Sequence, residues 1–182
     1  MLSNHRVLSV TKLLLPLLLF IVSFSAKAQL NNALTFDGID DQVDISYSGS
    51  FDFTTGTVEA WVKPAAYTGD RTFMSMRTNS GTRWSIHLNQ GDGTVGIWNG
   101  NVFNTVTYPF QAGTWYHVAA VINTVNVEVF VNAVSIGNTG SGLNALITGT
   151  PLVIGSPNDA TVPNEWFAGE IDEVRIWNDA LV

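Results

Sequence analysis

The chain has 182 residues, with 15 aspartate and glutamate residues, 8 lysine and arginine residues, and no cysteine. Hydrophobic residues make up 46% and charged residues only 13%, and this balance excludes intrinsic disorder, which needs few apolar and many charged residues. The lack of cysteine excludes disulfides, thiolate zinc sites and cysteine nucleophiles. The length suits one domain with a core large enough to fold without covalent staples.

The first 28 residues have the pattern of an export signal. A polar opening with basic residues precedes an apolar run at residues 13–22, and Ala26, Lys27 and Ala28 then form the small-x-small pattern that a signal peptidase cleaves. The apolar run is shorter than the roughly 20 residues that span a bilayer and is interrupted by a proline, which favours a cleaved signal over a membrane anchor. We therefore predict a signal peptide over residues 1–28 and a secreted or cell-surface protein with no membrane span after cleavage.

Removal of this leader would make the protein strongly acidic. Arg6, Lys12 and Lys27 leave with it, so five basic residues stand against 15 acidic ones and the formal charge becomes −10. A surface of this charge repels phosphate backbones, so nucleic acid is excluded as an expected partner. The charge suits calcium better, although acidity alone usually serves only solubility.

From Gln29 onward, apolar and polar residues alternate as they do in β-strands. The clearest alternating segments are residues 57–63, 83–89, 94–98, 126–131 and 167–177. Turns rich in glycine and asparagine separate them, and no window of helical length has the apolar spacing of a helix. We predict one all-β domain over residues 29–182, an antiparallel sandwich or barrel. Because the sequence stops soon after its last strand, we expect this domain to come from a longer protein.

Four motifs then occur in order along the mature chain. They are ALTFDGIDDQV at 33–43, VEAWVKP at 58–64, GTWYHVA at 113–119 followed by VFVN at 129–132, and GEIDEVRIWNDAL at 169–181. In this order they resemble the laminin-G-like, or concanavalin A-like, jelly-roll superfamily. The resemblance implies an antiparallel two-sheet jelly-roll sandwich, often with one structural calcium and often used to bind sugars or proteins.

One hairpin departs from the family pattern. The family usually has Val-Asn-Gly where this chain has Val131, Asn132 and Ala133. A two-residue type I′ turn needs positive φ at both central positions, which alanine tolerates poorly. We therefore expect a longer or bulged turn at this place.

A calcium site is the first candidate centre. Asp37 and Gly38 form a predicted sharp turn, with Asp40 and Asp41 just behind, and Ca²⁺ takes six to eight such oxygen ligands. Asp172 alternates with apolar residues of the last strand, so its carboxylate is predicted to point inward, where a cation would relieve an unpaired charge. The resemblance adds that related β-glucanases use an aspartate at this strand position as a calcium ligand. We expect calcium on Asp37, Gly38 and Asp172. The alternative is that Asp37 and Asp40 only cap a hairpin while Asp172 accepts backbone N–H bonds.

Catalysis is not expected from this domain. Retaining glucanases of this superfamily carry two carboxylates about 5 Å apart, and the resemblance implies that they lie on one strand as Glu-x-Asp-x-x-Glu or Glu-x-Asp-x-Glu. Glu170 and Asp172 begin that pattern, but Val174 and Arg175 stand where the second glutamate would be. We therefore predict no catalytic residues.

Aromatic residues indicate a carbohydrate site instead. Sugars present C–H faces that stack on aromatic rings, with polar groups alongside for their hydroxyls. Trp98 and His87 each lie opposite the apolar face of their strands, while Trp166 and Tyr67 lie in predicted loops, where an exposed aromatic residue indicates binding. We predict that these four residues bind carbohydrate. The alternative is that Trp98 and Trp166 only cover the second sheet or a loop.

The sequence thus predicts a secreted, non-catalytic binding or adhesion module with a structural calcium. Its expected partner is a glycan, or else a cell-surface or extracellular protein. Two alternatives stay open: an accessory domain of a longer exported hydrolase, and a structural spacer in a surface protein.

Overall fold

The computed structural model describes residues 32–66, 68–89, 91–140, 143–144 and 147–181. The predicted signal peptide and Tyr67 lie outside these residues. Within them, no helix is both long and apolar enough to cross a lipid bilayer.

Strands dominate the described part of the chain, as the period-two pattern predicted. A single turn of 3-10 helix, Gly49–Phe51, follows the second strand. The twelve strands are β1 (Leu34–Asp37), β2 (Val43–Ile45), β3 (Gly56–Pro64), β4 (Arg71–Thr78), β5 (Gly81–Asn89), β6 (Thr94–Trp98), β7 (Phe103–Thr107), β8 (Tyr116–Ile122), β9 (Val127–Val131), β10 (Val134–Thr139), β11 (Leu152–Ile154) and β12 (Ala168–Trp177).

The strands form two antiparallel sheets of six strands each. The first sheet has the order β1-β12-β3-β8-β9-β10, and the second has the order β2-β11-β4-β5-β6-β7. Chain neighbours pair along β8-β9-β10 and along β4-β5-β6-β7, whereas β12 returns to lie between β1 and β3. The predicted all-β, antiparallel two-sheet jelly-roll sandwich is confirmed.

The core lies between the inner faces of the two sheets. Successive side chains of a strand point to opposite faces, so every second residue enters the core. The core-facing apolar residues of two central strands include Val58, Ala60 and Val62 of β3 and Trp84, Ile86 and Leu88 of β5, all of them buried. Burial of each large apolar side chain stabilises the fold by about 1.5–3 kcal/mol. The same alternation sends Ser85 and His87 of β5 to the outer face of the second sheet.

The hairpin between β9 and β10 differs from the sequence expectation. Val131 pairs with Val134, so only Asn132 and Ala133 form the turn. Both have positive φ, 50° and 64°, as a type I′ turn requires. The expected longer or bulged turn is wrong, because the register shift of this hairpin lies within β10, at residues 135–137.

Tertiary contacts hold Asn132 in place at this turn. Its backbone N–H donates to the carbonyl oxygen of His117 at 2.8 Å, and its Oδ1 accepts the backbone N–H of His117 at 2.9 Å. These bonds tie the turn to β8 and fix Ala133 in a conformation that residues other than glycine, asparagine and aspartate rarely adopt.

Replacement of Ala133 by glycine is expected to stabilise the domain. Glycine adopts positive φ without the Cβ clash, and a left-handed conformation costs an L-residue about 1–2 kcal/mol, so the free energy of unfolding is expected to rise by about 1 kcal/mol. Urea denaturation of both proteins measures the change. The control is Ala66→Gly, an exposed position outside the left-handed region, which is expected not to stabilise. Equal or lower stability of Ala133→Gly would contradict the prediction.

A bulge in β12 corrects the predicted orientation of Asp172. Ile171 is buried, yet the strand shifts register after Asp172, where Glu173 has a φ of 52°. The extra residue reverses which residues point to each face of the sheet beyond the bulge. Asp172 and Ile176 therefore point to opposite faces. Asp172 instead pairs with Trp61 of β3, whose side chain is 39% exposed. Asp172 therefore lies on the outer face of the first sheet, and the prediction that it points inward is wrong.

Candidate functional site

A cavity of about 250 Å³ lies on the outer face of the second sheet. Strands β5 to β7 form its floor and one wall. Arg77 of β4 and the segment between β11 and β12 form the opposite wall, and the chain just before β4 closes one end. Its lining residues are Asp70, Arg77, His87, Trp98, Phe103, Val162 and Glu165. We call this cavity the groove.

Two aromatic side chains form the wall of the groove on β6 and β7. Trp98 and Phe103 are directly opposite each other across these two strands, and Phe103 is 39% exposed. Gly96 gives the Phe103 ring room, since a Cβ at this position would lie 2.2 Å from Cζ of that ring. The ring packs edge-on against His87 at a centroid distance of 5.3 Å. The result is an apolar surface that is partly open to solvent.

His87 forms the floor of the groove. Its Nδ1 lies 3.0 Å from Oγ1 of Thr72, and its Nε2 lies 2.7 Å from Oγ of Ser85. The residue as a whole is only 2% exposed. Burial, and to a smaller extent the positive charge of Arg77, together lower the pKa of His87 from 6.5 to about 3. The imidazole is therefore neutral near pH 7, where it has one donor and one acceptor nitrogen for its two hydroxyl neighbours.

Charged groups line the other wall. Arg77 donates from Nε at 2.9 Å and from Nη2 at 2.6 Å to Oδ2 of Asp159. Its Nη1 is 3.6 Å from Oε2 of Glu165, and this oxygen is 3.8 Å from Nδ1 of His87. Oε2 of Glu165 is buried and accepts no hydrogen bond from the described residues. Burial raises the pKa of Glu165, and Arg77 opposes that rise.

Backbone hydrogen bonds attach this wall to the sheet. The N–H of Val162 donates to the carbonyl oxygen of Asp159, and the N–H of Glu165 donates to that of Val162, both at 3.2 Å. The N–H of Thr72 on β4 donates to the carbonyl oxygen of Glu165 at 2.7 Å, next to a bridge between Thr72 and Trp166. These bonds hold the Glu165 side chain over β4 and β5.

The groove contains two of the four residues predicted to bind carbohydrate. Trp98 and His87 lie together in it. Trp166 is half-buried beside β4 and is not among the described residues that line the groove. Tyr67 lies outside the described residues. Binding of sugar by these residues stays a prediction.

Other groove residues were missed by the sequence reasoning. Phe103 could have been found, because it follows a short Asn-Gly-containing connection that begins directly after Trp98. Arg77 and Glu165 carry no comparable signal, since they are far apart in sequence and meet only through the long segment after β11.

A second candidate centre is the acidic turn, defined as Asp37, Asp40 and Asp41. One carboxylate oxygen of each lies within 4.8 Å of the others, and all three residues are exposed. Asp37 Oδ1 accepts the N–H of Ile39 at 2.7 Å, and Asp41 Oδ2 accepts the N–H of Asp37 at 2.9 Å. Hydrogen bonds within the turn thus use part of this oxygen set.

Asp172 does not join the acidic turn. Asp37 pairs with Ala168, four residues before Asp172 on the neighbouring strand, which is about 13 Å along the strand. Gly38 stays in the turn with a φ of 81°, and a Cβ there would lie 2.9 Å from Cβ of Ala168. The predicted set of Asp37, Gly38 and Asp172 is therefore not assembled. Calcium usually takes six to eight oxygen ligands. The three carboxylates of the acidic turn would supply about half of them, and backbone carbonyls and water would have to supply the others.

The fold has many relatives among solved structures. Domain 4 of the extracellular arabinanase AbnA from Geobacillus stearothermophilus, solved with arabinotriose, is 24% identical with a TM-score of 0.65, over 82% of this chain and 72% of that one. The CBM40 of the IT-sialidase of Ruminococcus gnavus, solved with α2,3-sialyllactose, is 14% identical with a TM-score of 0.67, over 84% and 92%. A heptameric SAP-like pentraxin from Limulus polyphemus is 20% identical with a TM-score of 0.62, over 81% and 76%.

The sequence itself also matches a family model. No curated protein shows significant sequence similarity to the chain. Residues 37–182 match the model described as concanavalin A-like lectin/glucanases superfamily, Laminin_G_3. That match covers most of the chain and includes all four motifs in part or in full. The chain therefore belongs to the concanavalin A-like lectin/glucanases superfamily.

Proposed function

We propose that this protein is a non-catalytic carbohydrate-binding module and that the groove is its glycan site. The observation that carries the proposal is the pairing of an open aromatic wall, Trp98 and Phe103, with the polar wall of Arg77 and Glu165 in one cavity. Sugar-binding sites combine these two kinds of surface, because a sugar ring has C–H faces and hydroxyl edges. The arabinotriose and sialyllactose of two relatives support the ligand class.

In this proposal, each wall has a separate task. The C–H face of one sugar ring stacks on Trp98 and Phe103, and its hydroxyl groups donate to the carboxylates of Glu165 and Asp70. The cavity is slightly smaller than the roughly 300–1,000 Å³ typical of sites for drug-sized ligands. It therefore suits a short stretch of a glycan chain, with neighbouring sugars continuing outside.

Absence of catalysis is part of the same proposal. Glu170 and Asp172, the start of the glucanase pattern, alternate on the outer face of the first sheet, away from the groove on the second sheet. Glu170 forms an ion pair with Lys63 at 2.7 Å. This face offers no partner glutamate at positions 174 and 175, which supports a binding role.

Export and a longer parent protein complete the proposal. The leader pattern of residues 1–28 supports secretion. Two relatives are, by their names, parts of glycan-degrading enzymes, so an accessory domain of an exported hydrolase is the second candidate. Such a domain would use the same groove to hold the enzyme on its substrate.

The test is a glycan array with residues 29–182 as a purified domain. Retention on at least one glycan is expected, and the free oligosaccharide should compete for binding. No retention on arabinan, other plant polysaccharides or mammalian glycans would overturn the proposal.

We further propose that the acidic turn binds calcium weakly. Three carboxylates this close repel one another, and a divalent cation would remove that repulsion. Extracellular calcium modules bind with dissociation constants of about 10⁻⁴–10⁻³ M. Asp40 is the best residue to substitute in a test. The hydrogen bonds of the turn use the carboxylates of Asp37 and Asp41 but only the backbone N–H of Asp40, so changing its side chain keeps those bonds.

Calcium is expected to raise the melting temperature of the domain. With about 10 mM calcium and a dissociation constant of about 1 mM, ligand binding adds about 1.4 kcal/mol, which corresponds to about 3–5 °C for a domain of this size. Melting curves in calcium and in EDTA measure this shift. Asp40→Asn is expected to remove it, and the control Asp172→Asn to keep it. Identical melting of the wild type in calcium and EDTA would contradict the proposal.

A further inference from the structure

The charges around the groove are mostly negative. Among the described residues, the charged groups in or beside it are four acidic residues and two basic ones: Asp70, Asp92, Asp159 and Glu165, with Arg71 and Arg77. His87 adds no charge near neutral pH, since its pKa is lowered to about 3. The formal charge of the surroundings is therefore −2, although the cavity contains an arginine.

That arginine is already paired within the protein. Two nitrogens of Arg77, Nε and Nη2, donate to Asp159, whose side chain is almost buried. The third, Nη1, lies 3.6 Å from Glu165. An anionic ligand would have to compete with both carboxylates for this guanidinium. Arg77 therefore holds the protein wall together, and its charge is largely neutralised before a ligand arrives.

The two acidic residues that line the groove, Glu165 and Asp70, are less fully paired within the protein than Arg77. Glu165 is 26% exposed, lines the cavity and has one buried oxygen that accepts no hydrogen bond from the described residues. Asp70 lines the same cavity, where Asn89 donates to it from Nδ2 at 3.4 Å and to Asp92 at 3.0 Å. Burial raises the pKa of both Glu165 and Asp70. The groove thus offers one acceptor oxygen, Oε2 of Glu165, that receives no hydrogen bond from the described residues, and a second carboxylate, Asp70, that receives a long one from Asn89.

We propose, resting on the glycan function above, that the groove selects uncharged sugars and discriminates against sugars that carry a carboxylate. Neutral sugars bring several hydroxyl donors and no charge, so they satisfy Glu165 and Asp70. A uronic or sialic acid would place another negative charge beside two partly desolvated carboxylates, and the Arg77 guanidinium in the cavity is already paired with Asp159 and close to Glu165. Sialyllactose, the ligand in the structure of one relative, carries a carboxylate. The groove of this protein is therefore proposed to prefer a different, uncharged class of sugar.

Matched pairs of ligands test this selectivity. Each acidic oligosaccharide is compared with its own methyl ester, which has the same linkages and ring shape without the charge, and neutral oligosaccharides such as arabinotriose are measured alongside. Affinities come from calorimetry at about pH 7 and low salt. For the wild type, the neutral member of each bound pair is expected to bind at least about tenfold more tightly, equivalent to about 1.4 kcal/mol.

Glu165→Gln identifies the group responsible. It keeps the shape of the side chain but removes its charge, so the preference for the neutral member is expected to fall to about threefold or less. Asp70→Asn is the second variant and is expected to act in the same direction. The control Glu173→Gln removes an exposed carboxylate from the first sheet, where it pairs with Arg175, and is expected to leave the preference unchanged.

The outcomes separate the two proposals. Equal or tighter binding of the acidic members overturns the selectivity while supporting glycan binding. An unchanged preference in both Glu165→Gln and Asp70→Asn overturns the assignment to these carboxylates. Binding of neither member of any pair, and of no neutral oligosaccharide, overturns the glycan function and the selectivity with it.

Discussion

Replacement of Trp98 by alanine is expected to weaken glycan binding by about tenfold to a hundredfold. The indole lies in the groove opposite Phe103, so the variant removes half of the apolar wall. Burying a large apolar side chain against a ligand contributes about 1.5–3 kcal/mol, and each 1.4 kcal/mol is a factor of ten in affinity. The measurement is calorimetric titration with the glycan that the array identifies.

Two further variants show whether the effect belongs to the groove. Phe103→Ala is expected to weaken binding in the same way, since its ring forms the other half of the wall. Trp61→Ala is the matched control: this tryptophan is partly exposed on the outer face of the first sheet and its loss should leave affinity unchanged. Trp166→Ala tests the remaining predicted tryptophan, and a small effect is expected because it lies outside the groove lining. Full affinity in Trp98→Ala, with the fold intact, would show that sugar binds elsewhere.

Lowering the pH from 7 to 5 is expected to reduce the free energy of unfolding by about 2 kcal/mol through His87 alone. Burial lowers its folded-state pKa to about 3, against 6.5 for an ordinary histidine. Between these two values the unfolded chain binds a proton that the folded protein excludes, so stability is complete above pH 6.5 and is lost as the pH falls. Urea denaturation at both pH values measures the change.

His87→Asn and His117→Asn separate this effect from other titrations. The first variant removes the buried imidazole and is expected to lose most of the pH-dependent fall in stability. The second removes the more exposed histidine of β8 and should retain the contribution of His87. Glu165 acts in the opposite direction, because its raised pKa makes protonation favour the folded state.

The titration of His87 can also be followed directly. In the wild-type protein, NMR is expected to show this imidazole neutral down to about pH 4. This measurement does not depend on the stability of a variant. An imidazole that becomes protonated near pH 6.5 in the folded protein would contradict the prediction.

The parts of the fold that could be predicted are those that follow from the alternation of apolar and polar residues along a strand. The alternation at residues 83–89 placed Trp84 on the core side and His87 on the outer side, and both assignments are confirmed. Within a regular strand, side-chain direction depends only on position along the chain. The same reasoning placed Trp98 on the outer face, where it now lines the groove.

Reasoning from local preference failed at two places, the bulge at Glu173 and the turn at Ala133. One extra residue at Glu173 reversed the predicted side of Asp172, and the contacts of Asn132 with β8 hold Ala133 in a turn that its own preference opposes. Bulges and strained turns are set by what the rest of the protein packs against them. A single sequence does not display those contacts.

The sequence by itself determined that the chain forms β-strands with one apolar and one polar face, because the alternation that produces these faces is a property of neighbouring residues. Only the tertiary structure decided which outer residues become a site. It placed Glu165 from the segment before β12 beside Arg77 of β4 and His87 of β5, and it placed Asp172 away from the acidic turn. Groups that are distant in the chain interact only after the sheets have packed, since charge and hydrogen bonding act over a few ångströms in space.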